Sequence, residues 1–216
     1  MRTVTIVKNL YSFEELSDEA KVFALDSNRH INTEDIEWYD GDIEHFRESS
    51  AMIGLDIEKV IFSGFCCQGD GASIEGKYEY KAGAVKNLEA FIKQHNLPED
   101  SIYHKLLDVA SVLQDMQKRY FYSINISMKN NGHYAHSGEM SIQFDYDYDL
   151  CGDRNTCNDE DEALRLFRRL ADHMYKELDS SYYSLISDDA VKEAILESEV
   201  EFLENGKPAT IEQQAA

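Results

Sequence analysis

The chain is poor in proline, with two in 216 residues, and holds one tryptophan and four cysteines. So little proline excludes collagen-like and proline-rich extended chains. Cysteines at 66, 67, 151 and 157 are too few and too unevenly placed for a disulfide framework. Cys66 and Cys67 read as neighbours on a strand, where side chains point to opposite faces, so no bond between them is expected. Cys151 and Cys157 lie six apart, not at the CxxC spacing of a structural zinc site. The thiols read as reduced, as in a cytosol, and neither a metal nor another cofactor is expected. No apolar run approaches the ~20 residues that span a bilayer. The opening MRTVTIVKNLYSF alternates like a strand and does not resemble a signal peptide. There is no HExxH, no dinucleotide fingerprint and no Ser-His-Asp arrangement, so no catalytic residue is assigned.

What the chain lacks most is positive charge. Twenty-one bases face 42 acids, a net charge of −21. The imbalance lies at the two ends: residues 1–60 hold 14 acids and 6 bases, residues 130–216 hold 20 and 7, and the middle is neutral. Solubility of a small domain requires a magnitude of only about 2–8. A surface this acidic repels nucleic acid and membranes and attracts basic proteins. The expected partner is therefore a basic protein or nucleoprotein complex, with no direct nucleic acid and no membrane.

What is present is a periodic α+β pattern, read as a single domain over residues 1–216 with roughly the last eight residues disordered. Residues 3–8 alternate as a strand. Ser12 and Glu15 have capping-box spacing, and Ser17 caps a helix over 17–29. Thr33 opens a helix to about Gly54, with Glu37, Glu44 and Glu48 as an acidic stripe. Strands at 57–65 and 72–80 form one hairpin; strands at 119–129 and 139–148 form a second. Helix pairs at 83–95 with 99–118, and at 158–184 with 187–198, complete the order, and VEFLENG is a closing strand able to pair with residues 3–8. Hairpins interleaved with helix pairs predict an antiparallel sheet with helices packed on it.

Three constellations could carry function. The segment SGFCCQGDGASIEG, 63–76, places Gln68, Gly69, Asp70 and Gly71 at a hairpin tip. A Walker-type phosphate loop would need a lysine and a following helix; here Asp70 and a strand stand in those places. The tip is therefore structural, with partner contact as the open alternative. In the second hairpin Asp145, Asp147 and Asp149 alternate with aromatic residues, which on a strand sets carboxylates about 6.6–6.8 Å apart. That resembles two nucleotides of axial rise on one DNA strand, about 6.8 Å. Together with Asp159, Glu160, Asp161 and Glu162, these acids form a possible partner-binding surface. DYDYDL does not continue as a calcium loop, because its sixth position is Leu150 instead of glycine. His133 and His136, three apart in NGHYAHSG, read first as turn residues and alternatively as an acid–base pair.

The stretches YSFEELSDEAKVFAL, SGFCCQGDGASIEGKYEY, NGHYAHSGEMSIQFDYD and ISDDAVKEAILESEVEFLENGKPA occur in that order. On them the chain resembles a widespread family of bacteriophage and prophage proteins of uncharacterised function, some labelled antitoxin, with an SGFxxQGDGA motif. Many members carry Trp-Ser where Cys66-Cys67 stands here. The resemblance implies a phage accessory protein in the bacterial host cytoplasm. Combined with the charge, it leads to an expected inhibitor of a host nucleic-acid-handling defence complex, of anti-CRISPR or anti-restriction type, acting by nucleic-acid mimicry. The alternatives are a non-mimic binding module, such as an antitoxin or accessory factor, and a small enzyme using the 64–71 hairpin with His133 and His136.

Overall fold

The structure, a computed structural model, describes residues 7–34, 37–152 and 157–209. Its contacts divide the chain into two compact units: residues 39–179, and the two ends together, 1–38 with 180–216.

The larger unit is built on a four-stranded antiparallel sheet in the order β1 (Leu55–Phe62), β2 (Ala72–Tyr78), β3 (Asn125–Asn130), β4 (Met140–Asp145). This is the predicted α+β class with its two hairpins. Alternation sets the faces: Leu55, Ile57, Ile74, Tyr78, Ile126 and Met128 are buried, while Asp56, Lys77, Lys129 and Gln143 are exposed. A bulge at Glu58 shifts the β1–β2 register and leaves Glu58 facing Lys77 at 3.2 Å. Helix α2 (Asp40–Ala51) packs on β1 and on α4 (Ile102–Arg119), and α3 (Ala84–His95) packs on α4. Helix α6 (Cys157–Leu185) buries Ala163, Leu166, Phe167, Leu170, Met174 and Leu178, positions recurring at three and four.

Three predicted boundaries are corrected. Helix α2 begins at Asp40, not Thr33: Asn32 instead donates to the main-chain oxygens of Leu185 and Ala190, and residues 31–33 form turns. Strand β3 begins at Asn125, not Arg119, because α4 runs through Arg119. Gln117 then takes the place of a strand neighbour, with its side chain bonded to both the N–H and the C=O of Ile124. Strand β4 ends at Asp145, and residues Tyr148–Cys151 form a short helix, α5.

The smaller unit contains α1 (Asp18–Ser27) and α7 (Asp188–Glu197). The expected caps are present: Glu15 accepts from the Ser12 main chain at 2.8 Å, and Ser17 accepts from Ala20 N–H at 3.3 Å. Phe13, Leu16, Ala20, Ala24, Val191, Ile195 and Phe202 form its core. The predicted closing strand VEFLENG is reduced to an isolated bridge: Phe202 bonds Tyr11, outside the predicted 3–8 strand, through N–H and C=O at 2.8 Å each. Residues 3–6 of the predicted first strand, and the terminal residues from Thr210, lie outside the described residues. Among the described residues no helix is long and apolar enough to cross a membrane.

Candidate functional site

Tyr120, at the C-terminal end of α4, organises the acidic side of the larger unit. Its ring meets Tyr146 edge-on, with centroids 5.8 Å apart. Its main-chain oxygen accepts from Ser123 Oγ at 2.6 Å and lies 3.6 Å from Cys151 Sγ. Burial, then the bond to Asp159, pushes the Tyr120 phenol up to about 12, so it remains a hydroxyl. Asp159 in turn holds Arg119 at 2.6 Å. One buried tyrosine thus ties the turn after β4 and the first turn of α6 to the end of α4, and brings the 145–149 and 159–162 segments together.

The carboxylates of those segments do not form the predicted row. Asp145 ends β4, and Asp147 accepts the N–H of Asp149 at 3.0 Å through its side chain. A carboxylate that captures the amide two residues on turns the chain, which is why the alternation of DYDYD stops being a strand. The strand geometry that would set a spacing of about 6.6–6.8 Å therefore stops at Asp145. Asp145, Asp147, Asp149 and Asp161 are exposed. Asp159 is mostly buried in its ion pair, Glu162 lies 3.4 Å from Arg165, and Glu160 is half-buried.

The predicted helical stripe is also incomplete. Glu44 and Glu48 lie on α2, with Glu44 3.6 Å from Arg47, but Glu37 precedes the helix and belongs to the other unit.

At the β1–β2 tip the ladder closes by Ser63 N–H to Gly71 C=O at 3.1 Å. Asp70 Oδ2 accepts the N–H groups of Cys67 at 2.7 Å and Cys66 at 3.0 Å, and these bonds hold its carboxyl below the ordinary range. Gln68 and Gly69 are exposed, and Gly69 takes φ +110°, which favours glycine. Residues 65–67 form bends and not strand, so Cys66 and Cys67 do not diverge; their Sγ atoms stand 3.5 Å apart. Below the tip, Phe65 stacks on Phe62 and Tyr175, and Tyr175 donates to Gly64 C=O at 3.0 Å.

The histidine loop meets this tip. A Cβ on Gly71 would lie 3.0 Å from His136 Cδ2. His136 Nδ1 accepts Gly138 N–H at 2.9 Å, so its local work is to hold a turn, whereas the His133 ring packs against Tyr134. Arg168 of α6 fixes the same turn by donating to Gly138 and Met140 C=O, both at 2.9 Å.

Two features were not anticipated. Phe121 and Tyr122 adopt φ of 54° and 61° and are 60% and 49% exposed, with Tyr122 packed on Tyr80 at 4.7 Å. Such residues cost energy in that conformation, and only the strand-like alternation of RYFYSINIS was visible in the sequence. His173 on α6 is 8% exposed and borders a cavity of about 200 Å³ lined by Phe46, Ile102, Tyr103 and Met174. Burial, then Lys105 and Lys176, lowers its pKa to about 4. Its position on the apolar face of α6 was the available signal.

No curated protein and no solved structure matches the chain. The acidic turn, the hairpin tip, the His136 loop and His173 all fall within residues 38–188, which match the family model described as a domain of unknown function, DUF8835, and the chain belongs to that family.

Proposed function

We propose that the protein is a phage-encoded acidic binder that inhibits a host nucleic-acid-handling defence complex, of anti-CRISPR or anti-restriction type, by occupying its basic channel in the host cytoplasm. The observation that carries this reading is the convergence of 145–149 and 159–162 about Tyr120 in a chain of net charge −21. Lys and Arg groups arranged for phosphates attract such a surface without any conformational adjustment. With the strand-like row gone, the mimicry rests on charge density and not on phosphate-like spacing. The working acids are those left exposed: Asp145, Asp147, Asp149 and Asp161. Asp159 and Glu162 face their own arginines and orient the turn.

The test is capture of host proteins on the immobilised full chain, compared with D145K/D147K/D149K. The variant is expected to keep the fold and to lose the captured complex; capture unchanged by the triple reversal contradicts the reading. A second reading, a non-mimic module such as an antitoxin or accessory factor, is favoured by Phe121 and Tyr122, exposed despite their backbone strain. An aromatic contact of that kind would hold at high salt, where a charge-driven one weakens.

A further inference from the structure

The bends at 65–67 gather two thiols and a carboxylate at the β1–β2 tip. Cys66 Sγ, Cys67 Sγ and a carboxylate oxygen of Asp70 all lie within 4.8 Å of one another, and the two sulfurs are 3.5 Å apart. Two Zn–S bonds of about 2.3 Å at a tetrahedral angle set their sulfurs about 3.8 Å apart, whereas linear coordination needs about 4.6 Å. The observed separation therefore suits a tetrahedral ion. We propose that Cys66, Cys67 and Asp70 form a binding site for a borderline-soft divalent cation, zinc or cadmium.

The tip is arranged for this before any ion arrives. Asp70 Oδ2 is pinned by the N–H groups of the same two residues whose thiols would ligate, so the carboxylate cannot swing away from them. Outer bonds of this kind orient a ligand and strengthen a site. Both cysteines are exposed, which leaves an entry path. Each thiol releases its proton to solvent as it ligates. Two thiolates and a carboxylate then offset the dication to a local charge of −1. His136, although close to Gly71, is unsuited as a fourth ligand. Its Nδ1 already accepts Gly138 N–H, which in the neutral ring puts the proton on Nε2. Three protein donors leave the fourth position to water or to an incoming ligand, the arrangement of an open site and not a closed structural one. The site is formed by this chain's own Cys66, Cys67 and Asp70. It is independent of the proposed acidic binding surface.

The experiment uses the full, reduced chain. Zinc alone is titrated against a chromophoric chelator, and cadmium alone is followed by thiolate charge-transfer absorption. The expected result is one ion per chain. C66S and C67S are each expected to lower zinc affinity at least about tenfold, D70N to lower it less, and C151S and C157S to leave it unchanged. Because any one substitution could disturb the tip, alkylation of the unmutated chain with iodoacetamide is read in parallel by mass spectrometry. Zinc should protect Cys66 and Cys67 together. Absence of stoichiometric binding, binding that survives in C66S/C67S, or protection falling on Cys157 instead would each overturn the proposal.

Discussion

His173 gives the sharpest consequence of a single side chain. Its folded pKa of about 4 lies below the ordinary 6.5 because a charged imidazole would sit in a buried position beside Lys105 and Lys176. Between those two values the unfolded chain takes up a proton that the folded chain refuses, so stability falls as pH falls from about 6.5 to about 4. The full effect is about 3 kcal/mol. Denaturant unfolding across that window should show the loss, and H173Q should flatten it; an unchanged pH profile in H173Q would remove this histidine as the cause. The carboxyls held low by hydrogen bonds, such as Asp70, lose their contribution only at more acid pH, so they do not mimic this window. At this scale the sequence was readable where geometry is local: Ser12, Glu15 and Ser17 cap as their spacing predicts. It was unreadable where the partner is distant, as for Tyr120, whose bond to Asp159 spans two helices.

At the scale of elements, helices and hairpins followed the periodicities, and the two misplaced strand boundaries share a cause. In RYFYSINIS and in DYDYDL the alternation continues past the real strand ends, since period two reports side-chain polarity and not main-chain bonding. Gln117 ends one strand by bonding Ile124, and Asp147 ends the other by capturing Asp149 N–H. Both are side-chain-to-backbone bonds, which compete with a ladder without altering its pattern. The α4–β3 turn that results holds Phe121 and Tyr122 in left-handed conformations. Asparagine tolerates that region, so F121N should raise stability by up to about 1 kcal/mol, measured by chemical denaturation. If the exposed ring serves a partner, the same variant should weaken capture of that partner. A stability loss in F121N would show that the ring is held for packing.

At the scale of the molecule, the family match covers the sheet-bearing unit and only the margins of the unit made by the chain ends. The charge spreads over both: residues 180–216 alone hold eight acids against two bases. Bulk composition made this surplus legible, but not which acids are spent on internal arginines, because Arg119 with Asp159 and Arg29 with Asp188 join residues far apart in sequence. The remaining exposed carboxylates are the basis for proposing competition with a polyanion. The measurement that tests this most directly is displacement. Host complex captured on the full chain is challenged with duplex DNA or RNA at fixed ionic strength. Mimicry predicts that nucleic acid releases the complex in proportion to its occupancy of the channel; a captured complex that binds nucleic acid fully while remaining on the protein would contradict it.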